Sequence, residues 1–115
     1  MKDRVRKWLL DIKASIESVK EYLGEQRNFF EYQQNKMLKR AVEREFEIIG
    51  ESTNRILQQV PDIEISSARK IVSLRNHIIH AYDSVSGEII WGIIVNNLPS
   101  LEREVVKLLE GEYLE

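Results

Sequence analysis

Apolar residues recur at every third or fourth position along most of the chain. Val5, Trp8, Leu9, Ile12, Ile16, Val19 and Leu23 form the first such stripe. It predicts an amphipathic helix from Asp3 to Leu23, closed by Gly24. Leu38, Ala41, Val42, Phe46, Ile49 and Ile56 form the second. They predict a helix from about Asn35 to Gln59, stopping before Val60-Pro61. Asn28 to Gln34 reads either as a short helix of its own or as the first turns of the next one. Gly50 falls inside the second stripe. Its propensity penalty of about 1 kcal/mol against alanine points to close helix packing. Pro61 to Ile65 is a linker, and Ser66 or Ser67 can cap a third helix that reaches Tyr82 or Asp83. Ser84 to Gly87 is a turn with Ser86 as a candidate cap. A fourth helix runs from about Glu88 to Leu109, kinked or broken at Pro99 and ended by Gly111. Four long helices with short connections predict an all-α, antiparallel up-and-down four-helix bundle, a single domain of 115 residues.

The third stripe departs from the ordinary pattern. On a helical wheel Leu74, Ile78 and Ile71 lie on one flank of Arg75, and Ile79 and Val72 on the other. Tyr82 falls nearly beneath Arg75, while Asn76 and His80 share one edge and His77 lies at the back. Arg75 and Tyr82 therefore occupy the middle of a wide apolar arc, where an amphipathic helix normally keeps its apolar residues. Burying a guanidinium without an anion or acceptors costs several kcal/mol. The arc is also too wide for one core contact. Its two flanks are expected to face different things: the bundle core, and a cleft or partner subunit, with Arg75 at the seam.

Composition narrows the chemistry. The chain carries 17 basic and 19 acidic side chains, a formal net charge of -2. A polyanion would have to be held by a local patch rather than by the overall field. The absence of cysteine excludes disulfides and thiolate chemistry. The N-terminal segment is basic but lacks a signal-peptide core, and no apolar run approaches a membrane span, so a cytoplasmic protein with no membrane partner is expected. The run Lys39, Arg40, Glu43, Arg44, Glu45, Glu47 reads as a solvated helix face with i,i+4 pairs. Trp8 and Trp91 read as core or interface aromatics.

The stretch LRNHIIHAYDS holds both histidines of the chain. Arginine offers a permanent planar fork that matches a phosphodiester. Histidine exchanges a proton near neutral pH. Asn76, one turn before His80, can orient the imidazole or bind a phosphate oxygen. His77, His80 and Asp83 could be read as helical metal ligands, but too few further ligands exist, and no metal or other cofactor is expected. A nuclease built this way would use the RNA 2′-hydroxyl as nucleophile, with His80 handling a proton and Arg75 stabilising the developing charge. A purely structural Arg–Tyr–Asn cluster fits the wheel equally well.

Arg75, followed after four residues by His80 and then by Tyr82, resembles the signature of the HEPN superfamily. It is most similar to that of the HepT-like toxins encoded beside a minimal nucleotidyltransferase. Phe46-Glu47-Ile48-Ile49-Gly50-Glu51-Ser52 resembles the family's second-helix motif. Tyr82-Asp83-Ser84-Val85, then Ile90-Trp91 and Asn97-Leu98-Pro99-Ser100-Leu101, resembles its ending. Ser52 replaces the usual alanine, and Ile65 or Ala68 stands where a tryptophan is common. The resemblance implies a homodimer whose two motifs meet in a composite cleft, and a metal-independent ribonuclease toxin. It implies catalytic roles for Arg75 and His80, assisted by Asn76. It makes Tyr82 the tyrosine adenylylated by the nucleotidyltransferase antitoxin, and leaves His77 and Glu51 as accessory candidates. The competing expectations are a non-catalytic nucleotide- or substrate-binding partner of the nucleotidyltransferase, and a purely structural dimer in which local carbonyls or Glu51 satisfy Arg75.

Overall fold

The computed structural model describes residues 3–25, 27–80 and 87–112, apart from the side chains of Ile79, His80 and Glu112. Within that range the chain is all-helical, with α1 Asp3–Leu23, α2 Phe29–Gln34, α3 Lys36–Gln59, α4 Ala68–His80, α5 Gly87–Asn96 and α6 Leu98–Glu112. None of these helices is both long and apolar enough to cross a membrane.

The predicted punctuation holds at most ends. Gly24 takes φ 69°, and its N–H donates to the Lys20 carbonyl at 3.0 Å, closing α1. Asn35 separates α2 from α3 and caps α3 with its side chain, which accepts from the Leu38 N–H at 3.0 Å. The ambiguous segment is thus a helix of its own, capped in the same way by Asn28, which accepts from the Glu31 N–H. The expected fourth helix is split: α5 ends at Asn96 and Pro99 sits in the first turn of α6, where its missing N–H has no intrahelical partner to lose.

Three expectations need correction. Gly111 does not end the last helix. It lies inside α6 and lacks the positive φ that makes glycine a terminator. Ser67 precedes α4 and its carbonyl accepts from the Ile71 N–H, but its hydroxyl is buried without a hydrogen-bond partner. Ser66, just before α4, is tied to α6 instead: Glu104 accepts from the Ser66 N–H at 3.0 Å and from its hydroxyl at 3.2 Å. The pairs on the charged face of α3 are i,i+3, Arg40–Glu43 and Arg44–Glu47. The expected end of the third helix at Tyr82 or Asp83, and the cap at Ser86, lie outside the described residues.

Packing follows the apolar stripes. α1 packs against α3 and α6, α4 against α3, α5 against α6, and α2 against α3. Val5, Leu9, Ile12, Ile16 and Val19 of α1 are buried, as are Val42, Phe46, Ile49 and Ile56 of α3. Each such side chain contributes roughly 1.5–3 kcal/mol of transfer free energy. α2 is held by aromatic contact: Trp91 lies 5.3 Å from the Tyr32 ring and 5.6 Å from that of Phe29.

Candidate active site

The site is built where α3 crosses α4. A β-carbon on Gly50 would lie 2.2 Å from the Arg75 Cβ, 2.8 Å from its Cγ and 3.2 Å from the Ile71 carbonyl oxygen. The two helices approach so closely that only a glycine fits, which is the close packing the sequence predicted. That contact brings the next residue of α3, Glu51, against the next functional group of α4. The Arg75 guanidinium meets the Glu51 carboxylate at 2.6 Å, with side-chain exposures of 26% and 37%. Its other terminal nitrogen donates to Asn76 Oδ1 at 2.9 Å. Arg75 Nε is buried and donates to nothing.

The wheel argument is resolved by this geometry. Ile71 and Leu74 are buried in the core and Ile78 packs against it. Val72, on the opposite flank, is only half-buried and lines a separate groove. Arg75 lies between the two, and its anion is Glu51. In water-accessible surroundings such a pair is worth at most about 1 kcal/mol. Its main effect is to fix the direction of the guanidinium.

Arg75 opens into a cleft of about 380 Å³ between α1, α3 and α4. Its other cations are Lys7, Arg44 and Arg55, its carboxylates are Asp11, Glu47 and Glu51, and Trp8 forms part of the wall. Each cation already has a partner: Lys7–Asp11 at 2.8 Å, Arg44–Glu47 at 3.0 Å and Arg55–Glu51 at 2.8 Å. A phosphate entering here would exchange carboxylates for itself. Glu51 could release Arg75 and still keep Arg55.

Of the residues singled out in the sequence, Arg75, Asn76 and Glu51 are brought together. His77 is exposed on α4 and lines neither this cleft nor the groove at Val72. His80 is the last described residue of α4. Its side chain, and all of Tyr82, lie outside the described residues. Among the described residues no three His, Asp or Glu side chains converge as a metal site would require. Sequence reasoning did not find Lys7, Trp8 and Arg55 as cleft residues. Nothing in the periodicity of α1 tells which of its polar edges faces α3.

The family model described as "HepT-like: Ribonuclease HepT-like" matches residues 12–108. The chain belongs to the HepT-like family. The segment matched contains the Gly50 crossing, Glu51, Arg75 and the split between α5 and α6. Similar proteins include "Putative RNase MJ0127" of Methanocaldococcus jannaschii, 29% identical over 96% of this chain and 94% of its own length. "Putative RNase MJ1380" of the same organism is 32% identical over 88% of this chain and 93% of its own length. "Probable ribonuclease HepT" of Thermococcus cleftensis is 30% identical over 94% of this chain and 98% of its own length. No solved structure matches the chain.

Proposed function

We propose that this HepT-like protein is a metal-independent endoribonuclease, acting as a homodimer of four-helix bundles in which two copies of the Arg75/His80 motif meet across a composite cleft. The observation that carries this reading is Arg75. It is fixed at a helix crossing, in the middle of an apolar arc, and its charged end opens into a cleft rather than the core. In the reaction the RNA 2′-oxygen attacks the adjacent phosphorus and the bond to the 5′-oxygen breaks. The products are a 2′,3′-cyclic phosphate and a new 5′-hydroxyl. The 2′-hydroxyl loses a proton and the leaving oxygen gains one, and His80 mediates one of these transfers. Arg75 neutralises the charge on the pentacoordinate phosphorus. Asn76 holds the guanidinium in place or takes a phosphate oxygen.

The physiological role that fits the sequence motif is that of a toxin in a toxin–antitoxin pair. Its antitoxin is a minimal nucleotidyltransferase that adenylylates Tyr82. A nucleotide there would bring negative charge close to the phosphate-binding arginine and repel RNA.

The ion pair to Glu51 favours a second reading, in which Arg75 is a structural residue already satisfied. Cleavage of total RNA in EDTA by the wild type and by His80→Ala separates the two. Cleavage by the wild type alone is expected. A folded, dimeric wild type that leaves RNA intact, with Tyr82 unmodified by mass spectrometry, would favour the structural reading.

A further inference from the structure

A second groove, of about 410 Å³, runs along the α3–α4 pair on the flank of Val72. It differs in chemistry from the cleft under Glu51. No carboxylate lines it, and its one cation is Arg69. Its polar groups are the amides of Asn54, Gln58 and Asn76 and the hydroxyl of Ser73, set beside the apolar side chains of Leu57 and Val72. Among the described residues, the side chains of Asn54, Gln58, Arg69 and Ser73 have no hydrogen-bond or ion-pair partner. Asn76 links the groove to the proposed catalytic arginine, because it lines the groove and accepts from Arg75.

We propose that this groove is the base-binding subsite of the RNA site, a reading that rests on the ribonuclease function proposed above. Side-chain amides both donate and accept, which is what the edge of an unstacked base requires. On the Hoogsteen edge a single amide pairs bidentately with adenine N6/N7 and meets only acceptors on guanine, so adenine is the base assigned to the groove. The apolar groups pack against the base, and Arg69 contacts a flanking phosphate. The carboxylate-rich cleft across the crossing suits this role less well, since no side-chain amide lines it and its carboxylates can only accept. A phosphate at Arg75 thus has an amide-lined groove without carboxylates one side chain away.

The test uses 2′-O-methyl tetranucleotides of adenine, guanine, cytosine and uracil, which lack the nucleophile and cannot be cut. Wild-type protein is expected to bind the adenine probe about five-fold or more over the uracil one. The double variant Asn54→Ala/Gln58→Ala should lose that discrimination, falling to within about two-fold. Equal binding of all four probes by the wild type, or an unchanged preference in the variant, overturns the proposal. Dissociation of the variant into monomers by light scattering also overturns it, by making the groove a subunit seam. In parallel, native RNA is cut in EDTA and the cut sites are sequenced. Base-selective binding without cleavage keeps the groove and removes the ribonuclease reading. Cleavage with the same cut-site distribution in wild type and variant keeps the ribonuclease and removes the groove.

Discussion

Glu51 holds Arg75, and under the proposed mechanism a phosphate takes its place. Glu51→Gln removes the competing charge and leaves the crossing intact. The ion pair is partly exposed, so the expected loss of stability is about 1 kcal/mol or less by denaturant titration. RNA affinity should rise several-fold. If instead it falls as far as in Arg75→Ala, Glu51 is needed to hold the guanidinium in its working direction. Tyr32 is a different kind of buried polar group. Its ring is enclosed and its hydroxyl has no partner. Burial, and then the nearby Glu43 carboxylate, push its pKa upward. The folded state therefore holds the phenol proton to higher pH than the unfolded chain does. The stability tied to it is complete below a pH of about 10 and falls as pH rises further. Tyr32→Phe should flatten that alkaline loss. It should also stabilise the protein at neutral pH by about 1 kcal/mol, since an unsatisfied hydroxyl is removed. Thermal melts at pH 8 and pH 11 read both effects.

The main lesson about elements comes from Gly50. Helix propensity alone says that alanine at this position would stabilise α3 by about 1 kcal/mol. The crossing says the opposite, because the new methyl would overlap Arg75 Cβ and the α4 backbone. Overpacking of this kind costs roughly 1–3 kcal/mol. Gly50→Ala is therefore expected to lower the melting temperature and to cut RNA cleavage by more than the stability loss explains. A more stable variant with full activity would show that the helices can separate freely. Much of this architecture was legible beforehand. Apolar stripes located α1 and α3, Pro99 marked the split between α5 and α6, and Gly50 marked close packing. Other features were not. The six residues of α2 are too few to show a period, so the sequence left two readings open, a helix of its own or the first turns of the next. The Asn28 cap and the packing of Trp91 on Phe29 and Tyr32 accompany the first. The tie that holds Ser66 just before α4 comes from Glu104, 38 residues further on, and no local rule could assign it. Arg75 stood out in the sequence because it broke a pattern. Its partner Glu51 was named as an accessory candidate and, beside local carbonyls, as a group that could satisfy Arg75. Periodicity did not choose between these, since a pair between two helices leaves no periodic trace.

The whole molecule measures 46 × 31 × 19 Å. A body this thin leaves much of each helix at the surface. Leu10, Ile89 and Val95 are among the large apolar side chains exposed there. A homodimer would cover part of that surface. Light scattering is expected to give twice the 13.5 kDa of the chain, independent of dilution through the micromolar range. A monomer at all concentrations would remove the composite cleft and with it the pairing of two Arg75/His80 motifs.

The tie between Glu104 and Ser66 has a consequence for the moment of synthesis. The helix that bears Arg75 is synthesised before the residue that anchors its start has been joined to the chain. At about 5–20 residues per second, α4 waits seconds for Glu104 and for the α6 surface that closes onto α1. A half-made chain therefore carries the motif without the scaffold that aims it. Whatever the finished protein does to RNA, a nascent copy still attached to its own message is poorly equipped to do.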